Sequence, residues 1–140
     1  MNCPECGAKD ALCKARFDEL LDLEFSDAEY GAVHHLTVAT YMLQHSSRLS
    51  REGWLHQRDL LREFVVENTP PEIILKRDRQ KLDSGNRNFN FKSKDGRPVI
   101  TKSSWEKTIL DVRTESAKVY RVDVKAWARS VLEEAEVIFL

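Results

Sequence analysis

The sequence predicts a mainly α-helical, bundle-like single domain over residues 1–140, stapled at its N-terminal end by cysteines. Three observations carry this. Apolar residues recur at helical rather than alternating spacing along most of the chain, serine- or threonine-led capping signals precede several of those stretches, and all three cysteines fall between residues 3 and 13. A hydrophobic fraction of 41% beside a charged fraction of 32% is the composition of a globular chain, and 140 residues suffice to bury a core.

A first helix is expected over about 12–24, where Cys13, Phe17, Leu20 and Leu21 share one face and turn Cys13 toward the core. Ser26-Asp27-Ala28-Glu29 has the Ser-x-x-Glu spacing of a capping box and opens a second helix over 27–45, with Tyr30, His34, Val38, Tyr41 and His45 along one stripe. So short a connection folds the two helices back as an antiparallel hairpin. Ser50 caps a third helix to about residue 67, with Trp54, Leu61, Phe64 and Val65 inward. Thr69-Pro70-Pro71-Glu72 starts a fourth, which runs to about residue 82 and stops before Gly85. Between residues 86 and 102 the helical pattern lapses. Alternating Phe89 and Phe91, the turn signal Asp95-Gly96 and Val99-Ile100-Thr101 allow a short β-ribbon near 89–101, which Pro98 weakens. Ser103-x-x-Glu106 caps a short helix carrying Trp105 and Ile109. A last helix spans about 116–137 and buries Tyr120, Val124, Trp127, Val131 and Ala135.

Cys3-Pro-Glu-Cys6-Gly7 has the form of a zinc knuckle. Two thiolates two residues apart turn toward one ion, and the glycine permits the tight backbone that aims amides at the sulfurs. Redox motifs share Cys-x-x-Cys, but Cys13 on the next helix supplies a third ligand. A structural Zn2+ is therefore expected, against three free thiols as the plain alternative. The fourth ligand comes from His34, His35, His45 or His56. His35 lies about 100° around the helix from His34 and is expected on the surface. His34 and His45 share a face but stand ~16 Å apart along it, so both cannot bind one ion. In the hairpin Cys13 faces the far end of the second helix, which makes His45 the first choice and His34 the reserve. Otherwise His34 is a core histidine bonded to a neighbour such as Tyr30.

The stretch from Tyr30 to His45 resembles the signature of a family of small, mostly bacterial proteins of unknown function. In that family an N-terminal Cys-x-x-Cys and a later cysteine precede a helix of the form His-x-x-Thr-Val-x-x-Tyr-x-x-Gln-His, here His34 to His45. The likeness continues at His56 and at Trp127-Ala-Arg-Ser-Val131, though Ser46 stands where the family usually has proline. The resemblance implies that Cys3, Cys6, Cys13, His34, Tyr41, Gln44 and His45 form one constellation, and it brings no activity.

The net charge of −1 conceals an asymmetry. Residues 1–30 hold eight acidic side chains against three basic, a net of −5, and residues 73–107 hold ten basic against four acidic, a net of +6. This makes either two solvated faces or a dipolar surface for an anionic partner. Arg87, Phe89, Phe91, Lys92, Lys94 and Arg97 mix cations with aromatics and form the candidate binding surface for a macromolecule, whether nucleic acid or protein. No run of residues suits a membrane span and no secretory leader precedes Cys3, so a cytoplasmic location is expected; the oligomeric state is open. A closed Cys3His site leaves no position for substrate and favours a non-catalytic, accessory or macromolecule-binding module. The other reading is a metal-dependent or histidine-based enzyme with a pocket around His34, Tyr41, His45 and His56, with Tyr41 or Asp59 moving protons. The sequence has no HExxH, no Gly-rich phosphate loop and no GxSxG elbow to strengthen it.

Overall fold

The computed structural model describes residues 1–83 and 92–139. The chain is mainly helical. Among the described residues six α-helices follow one another: α1 (Cys13–Ser26), α2 (Ala28–Gly31), α3 (His34–Gln44), α4 (Arg51–Val65), α5 (Pro71–Asp83) and α6 (Ala117–Ala135). None is long and apolar enough to cross a membrane.

α3 is the central element. It packs against α1, α4 and α6, and that environment explains its composition. Leu36, Thr37, Ala39, Thr40, Tyr41, Leu43 and Gln44 are all buried, a broader face than the single stripe the spacing predicts, while Val38 and His34 are only half-buried. A helix flanked on three sides must tolerate polar groups inside, and Gln44 finds partners for both ends of its amide, while the buried Thr40 hydroxyl has none among the described residues. The Gln44 amide donates to the Lys107 carbonyl (2.8 Å) and accepts from the Trp127 indole (3.1 Å). The Trp54 indole donates to the carbonyl of Leu43 at 3.0 Å. Trp54, Trp127, Tyr120, Leu20, Leu61 and Ile109 complete the interior with no more than 2% of their surface exposed.

Two of the capping signals hold. Ser50 accepts from the Gly53 amide to start α4, and Ser116 accepts from the Val119 amide to start α6. Two signals are displaced. α1 continues through Ser26, whose hydroxyl turns back to the Asp22 carbonyl (2.6 Å), and Asp27 caps α2 instead. The expected helix over 27–45 is broken between Gly31 and His34. Gly31 lies against the end of α1, where a Cβ would stand 2.6 Å from the Glu24 carbonyl oxygen, and this close approach bends the path into two segments. Likewise the helix expected after Ser103 is absent. Thr108 and Asp111 form the capping box of a single 3-10 turn, Ile109–Asp111, while Trp105 packs down on the N-terminal segment.

The expected ribbon is not formed over its described part. Residues 89–91 lie outside the described residues, and from 92 to 101 the chain makes one isolated antiparallel bridge, Leu49 to Lys92, and no strand. The segment spends its backbone groups elsewhere: Ser93 donates to the Arg48 carbonyl (3.1 Å) and Val99 to the Ser46 hydroxyl (2.9 Å).

Candidate metal centre

The chain from Cys3 to Gly7 doubles back tightly. The Gly7 amide donates to the Cys3 carbonyl and the Cys3 amide to the Ala8 carbonyl, both at 2.9 Å. Gly7 has φ +80° and sits so close to Ser103 that a Cβ would meet its carbonyl oxygen at 2.9 Å, so this turn requires glycine on two counts. The Ala8 amide points at Cys6 Sγ (3.4 Å), the donor that a thiolate ligand calls for.

The turn is held to the helices by Glu5. Its carboxylate accepts from the amide (2.8 Å) and hydroxyl (3.0 Å) of Ser47, and its carbonyl accepts from the Trp105 indole (3.2 Å). Ser47 lies just beyond His45, so these bonds bring the knuckle to the C-terminal end of α3. Cys13, at the start of α1, completes the approach.

The result is a compact donor set. One ligand atom from each of Cys3, Cys6, Cys13 and His45 lies within 4.8 Å of the other three, and all four residues are buried. Donors of one tetrahedral zinc stand ~3.5–4 Å apart, given metal–ligand bonds of ~2.0–2.3 Å, so a slight closure lets one ion reach all four. The cysteines form no disulfide. A Cys3His cluster of this kind can hold a metal ion.

His45 is oriented for that role. Its Nδ1 lies 2.8 Å from the Tyr41 carbonyl, which can only accept, so Nδ1 carries the proton and donates. Nε2 then holds a lone pair; it is buried and has no hydrogen-bond partner. This arrangement fixes the tautomer and ring plane of a histidine ligand. The imidazole also stacks on Tyr41 (centroids 4.0 Å apart), and Tyr41 stacks on Phe17 (3.9 Å), so the ligand ring is set by aromatic packing from α1 and α3.

The three thiols do not ionise with equal ease. Burial pushes the Cys6 thiol well up, reinforced by Cys13 and Cys3, and burial raises Cys13, reinforced by Cys3. Burial also opposes ionisation of Cys3, but amides of Cys6 and Glu5 and the two adjacent thiols outweigh it and hold Cys3 below the ordinary thiol range. Three crowded sulfurs favour full ionisation only when a positive ion sits among them. Burial likewise lowers His45, keeping its imidazole neutral and able to bind metal.

The other sequence candidates part company here. His34, the reserve ligand, is directed to the opposite end of α3, where its Nδ1 lies 2.7 Å from Glu24 rather than near Tyr30. Glu24 has no exposed side-chain surface and also accepts from the hydroxyls of Thr37 (2.6 Å) and Tyr120. Sequence reasoning missed this buried carboxylate, although Glu24 follows Cys13, Phe17 and Leu20 on the same helical face. His35 is not on the surface as expected but half-buried, edge-on to Phe64 at 4.6 Å. The pocket imagined around His34, Tyr41, His45 and His56 is not assembled: Tyr41 and His45 are stacked, His34 serves Glu24, and His56 stands on α4 apart from the four clustered donors. Asp59 is exposed and pairs with Arg58 and Arg62. Of the candidate binding surface, Arg87, Phe89 and Phe91 lie outside the described residues, and Lys92, Lys94 and Arg97 are exposed.

Comparison with known proteins gives a family. The model of a family of unknown function (DUF5946) matches residues 1–136, and the chain belongs to it. No curated protein and no solved structure matches.

Proposed function

Starting from membership of a family without an assigned activity, we propose that this protein is a zinc-stapled helical module, with one structural Zn2+ held by Cys3, Cys6, Cys13 and His45, and that it serves as a macromolecule-binding or accessory protein rather than as a catalyst. The observation that carries the reading is the His45 Nε2, a buried imidazole nitrogen without a hydrogen-bond partner in a cluster of three buried thiols. An orphaned acceptor at such a place costs stability unless something positive meets it. Three thiolates and one imidazole favour zinc over the harder cations, which take oxygen ligands. Four protein donors fill a tetrahedral shell and leave no position for a substrate or an activated water. A reducing compartment such as the cytoplasm keeps the three thiols available for the ion.

The test is metal content and coordination. Protein purified under reducing conditions without chelator should carry one zinc per chain by elemental analysis. Replacement by Co2+ should give the thiolate charge-transfer and strong d–d bands of a tetrahedral site, and Cys13→Ser or His45→Ala should abolish them. Metal-free protein, or a cobalt spectrum of a five- or six-coordinate ion with exchangeable water, would overturn the structural reading.

A further inference from the structure

A second concave site lies away from the metal cluster. The start of α4 and the segment from Lys92 to Val99 flank an open cavity of about 300 Å³, with the exposed Arg51, Lys92, Lys94 and Arg97 at its walls and Asp95 as the acidic residue among the lining. The two walls are joined by backbone: the Leu49–Lys92 bridge, the Ser93 amide to the Arg48 carbonyl, and the Val99 amide to the Ser46 hydroxyl. The cations therefore converge from two tied segments.

These cations are held differently from three arginines elsewhere on the molecule. Arg62, Arg77 and Arg113 each grip a carboxylate through two nitrogens, on Glu136, Glu63 and Asp123. At the cavity, Arg51 and Lys94 have no ion-pair partner among the described residues, and Arg97 reaches Asp95 only at 3.9 Å. Arg51 is steadied instead by an aromatic face. Its guanidinium lies 4.4 Å from the Phe139 ring, which stands edge-on to the buried Trp54 at 5.6 Å. A guanidinium held by a π face keeps its hydrogen-bonding edge for another ligand.

We propose that this cavity binds a phosphoryl group. Arg51, Lys94 and Arg97 against Asp95 give this lining a surplus of positive charge, in a chain whose net charge is −1. A phosphate monoester brings nearly two negative charges and three acceptor oxygens, which suit a guanidinium fork flanked by amines; a carboxylate brings one charge and two oxygens. The positive end of the α4 dipole adds to the same field. The source of the group is either a small phosphorylated compound or the backbone of a nucleic acid, whose diester phosphates bring one charge each but follow one another along the strand. This inference deepens the binding-module reading and rests on it for its biological sense, but it uses no residue of the metal cluster.

The experiment uses the full zinc-loaded chain with inorganic phosphate and with a fluorescein-labelled single-stranded oligonucleotide, read by amide chemical shifts and by anisotropy. Phosphate should shift the amides of Arg51, Ser93 and Lys94. Lys94→Glu, at an exposed position, and Arg51→Gln should each weaken binding at least about tenfold with the melting temperature unchanged for Lys94→Glu. An oligonucleotide that binds far more tightly than phosphate, with an affinity that falls steeply with salt, identifies a nucleic-acid backbone; equal binding of the two identifies a small phosphorylated ligand. Both outcomes support the site. Absence of any shift with phosphate and of any anisotropy change with oligonucleotide overturns it, as does binding that Lys94→Glu leaves unaltered, or capture of a polyglutamate peptide in place of either phosphate probe. Zinc content measured on the same samples separates the two proposals, since a chain that carries no zinc as purified yet binds phosphate would overturn the staple and leave this site standing.

Discussion

Removing the metal should loosen one end of the molecule and spare the rest. The residues that carry Cys3 and Cys6 precede every α-helix, and Cys13 is the first residue of α1. Stripping zinc with a strong chelator under reducing conditions therefore frays at most the first turn of α1, about four residues. The far-UV circular dichroism should keep at least about nine-tenths of its helical signal, because α3, α4 and α6 pack on one another around Trp54, Trp127 and Tyr120 without the ion. Stability should still fall. Releasing the knuckle breaks the two bonds from Ser47 to the Glu5 carboxylate and the one from the Trp105 indole to the Glu5 carbonyl. At about 1 kcal/mol each, these sum to about 3 kcal/mol, a drop in melting temperature of about 10 °C for a domain of this size. Cys3→Ser should reproduce the chelator effect. His45→Ala should cost ~1 kcal/mol more than that, because it also removes the ring stacked on Tyr41. Thermal melts with and without chelator decide the matter. Loss of all helix on chelation would refute the claim that the core stands alone, and an unchanged melt would refute the metal site itself.

Two further predictions concern parts of the fold remote from the metal. Tyr120→Phe takes a hydroxyl donor away from the fully buried Glu24 carboxyl and should destabilise by about 1–3 kcal/mol, because a buried acceptor loses a partner, read as a lower midpoint in urea; a variant within ~0.5 kcal/mol of the parent would refute a stabilising role for that bond. The second is a dependence on pH. Hydrogen bonds from Arg113 hold the Asp123 carboxyl below its ordinary range, and those from Arg62 do the same for Glu136. A carboxyl whose folded pKa is depressed contributes stability above its unfolded value and loses it as pH falls through the folded one, so stability should decline below about pH 4. Asp123→Asn should flatten that decline in urea midpoints taken between neutral and acid pH; an identical slope in the variant would contradict it.

What could be read from the sequence depended on how directly a signal adjoined the helical spacing. Ser50 and Ser116 each stand immediately before a periodic stretch, and each is the cap. Ser26 and Asp27 are adjacent candidates, and spacing cannot rank them. The choice falls to Asp27 because α1 continues and Gly31 must approach Glu24. Ser103 and Thr108 compete in the same way, and Thr108 prevails because Trp105 is drawn onto Glu5. The cysteine–histidine cluster was legible for a geometric reason: a short connection between antiparallel helices places the start of one beside the end of the other, which chooses His45 over His34. Glu24 was legible only in its position: spacing puts it on the face of Cys13, Phe17 and Leu20, but its partner Tyr120 lies 96 residues away on α6 and no local pattern announces that bond.

The locking of the knuckle has a bearing on when the ion becomes fixed. All four donors precede α4, yet the segment that closes over them comes much later, with Ser103 against Gly7 and Trp105 on Glu5. A ribosome releases chain in that order, so a nascent polypeptide offers a complete set of donors well before their cover exists. Metal acquired at that stage should exchange readily, and the arrival of residues 103–108 should slow that exchange, so its rate would report the last steps of biogenesis. A chain truncated before Ser103 should still bind metal and should surrender it quickly to a competing ligand.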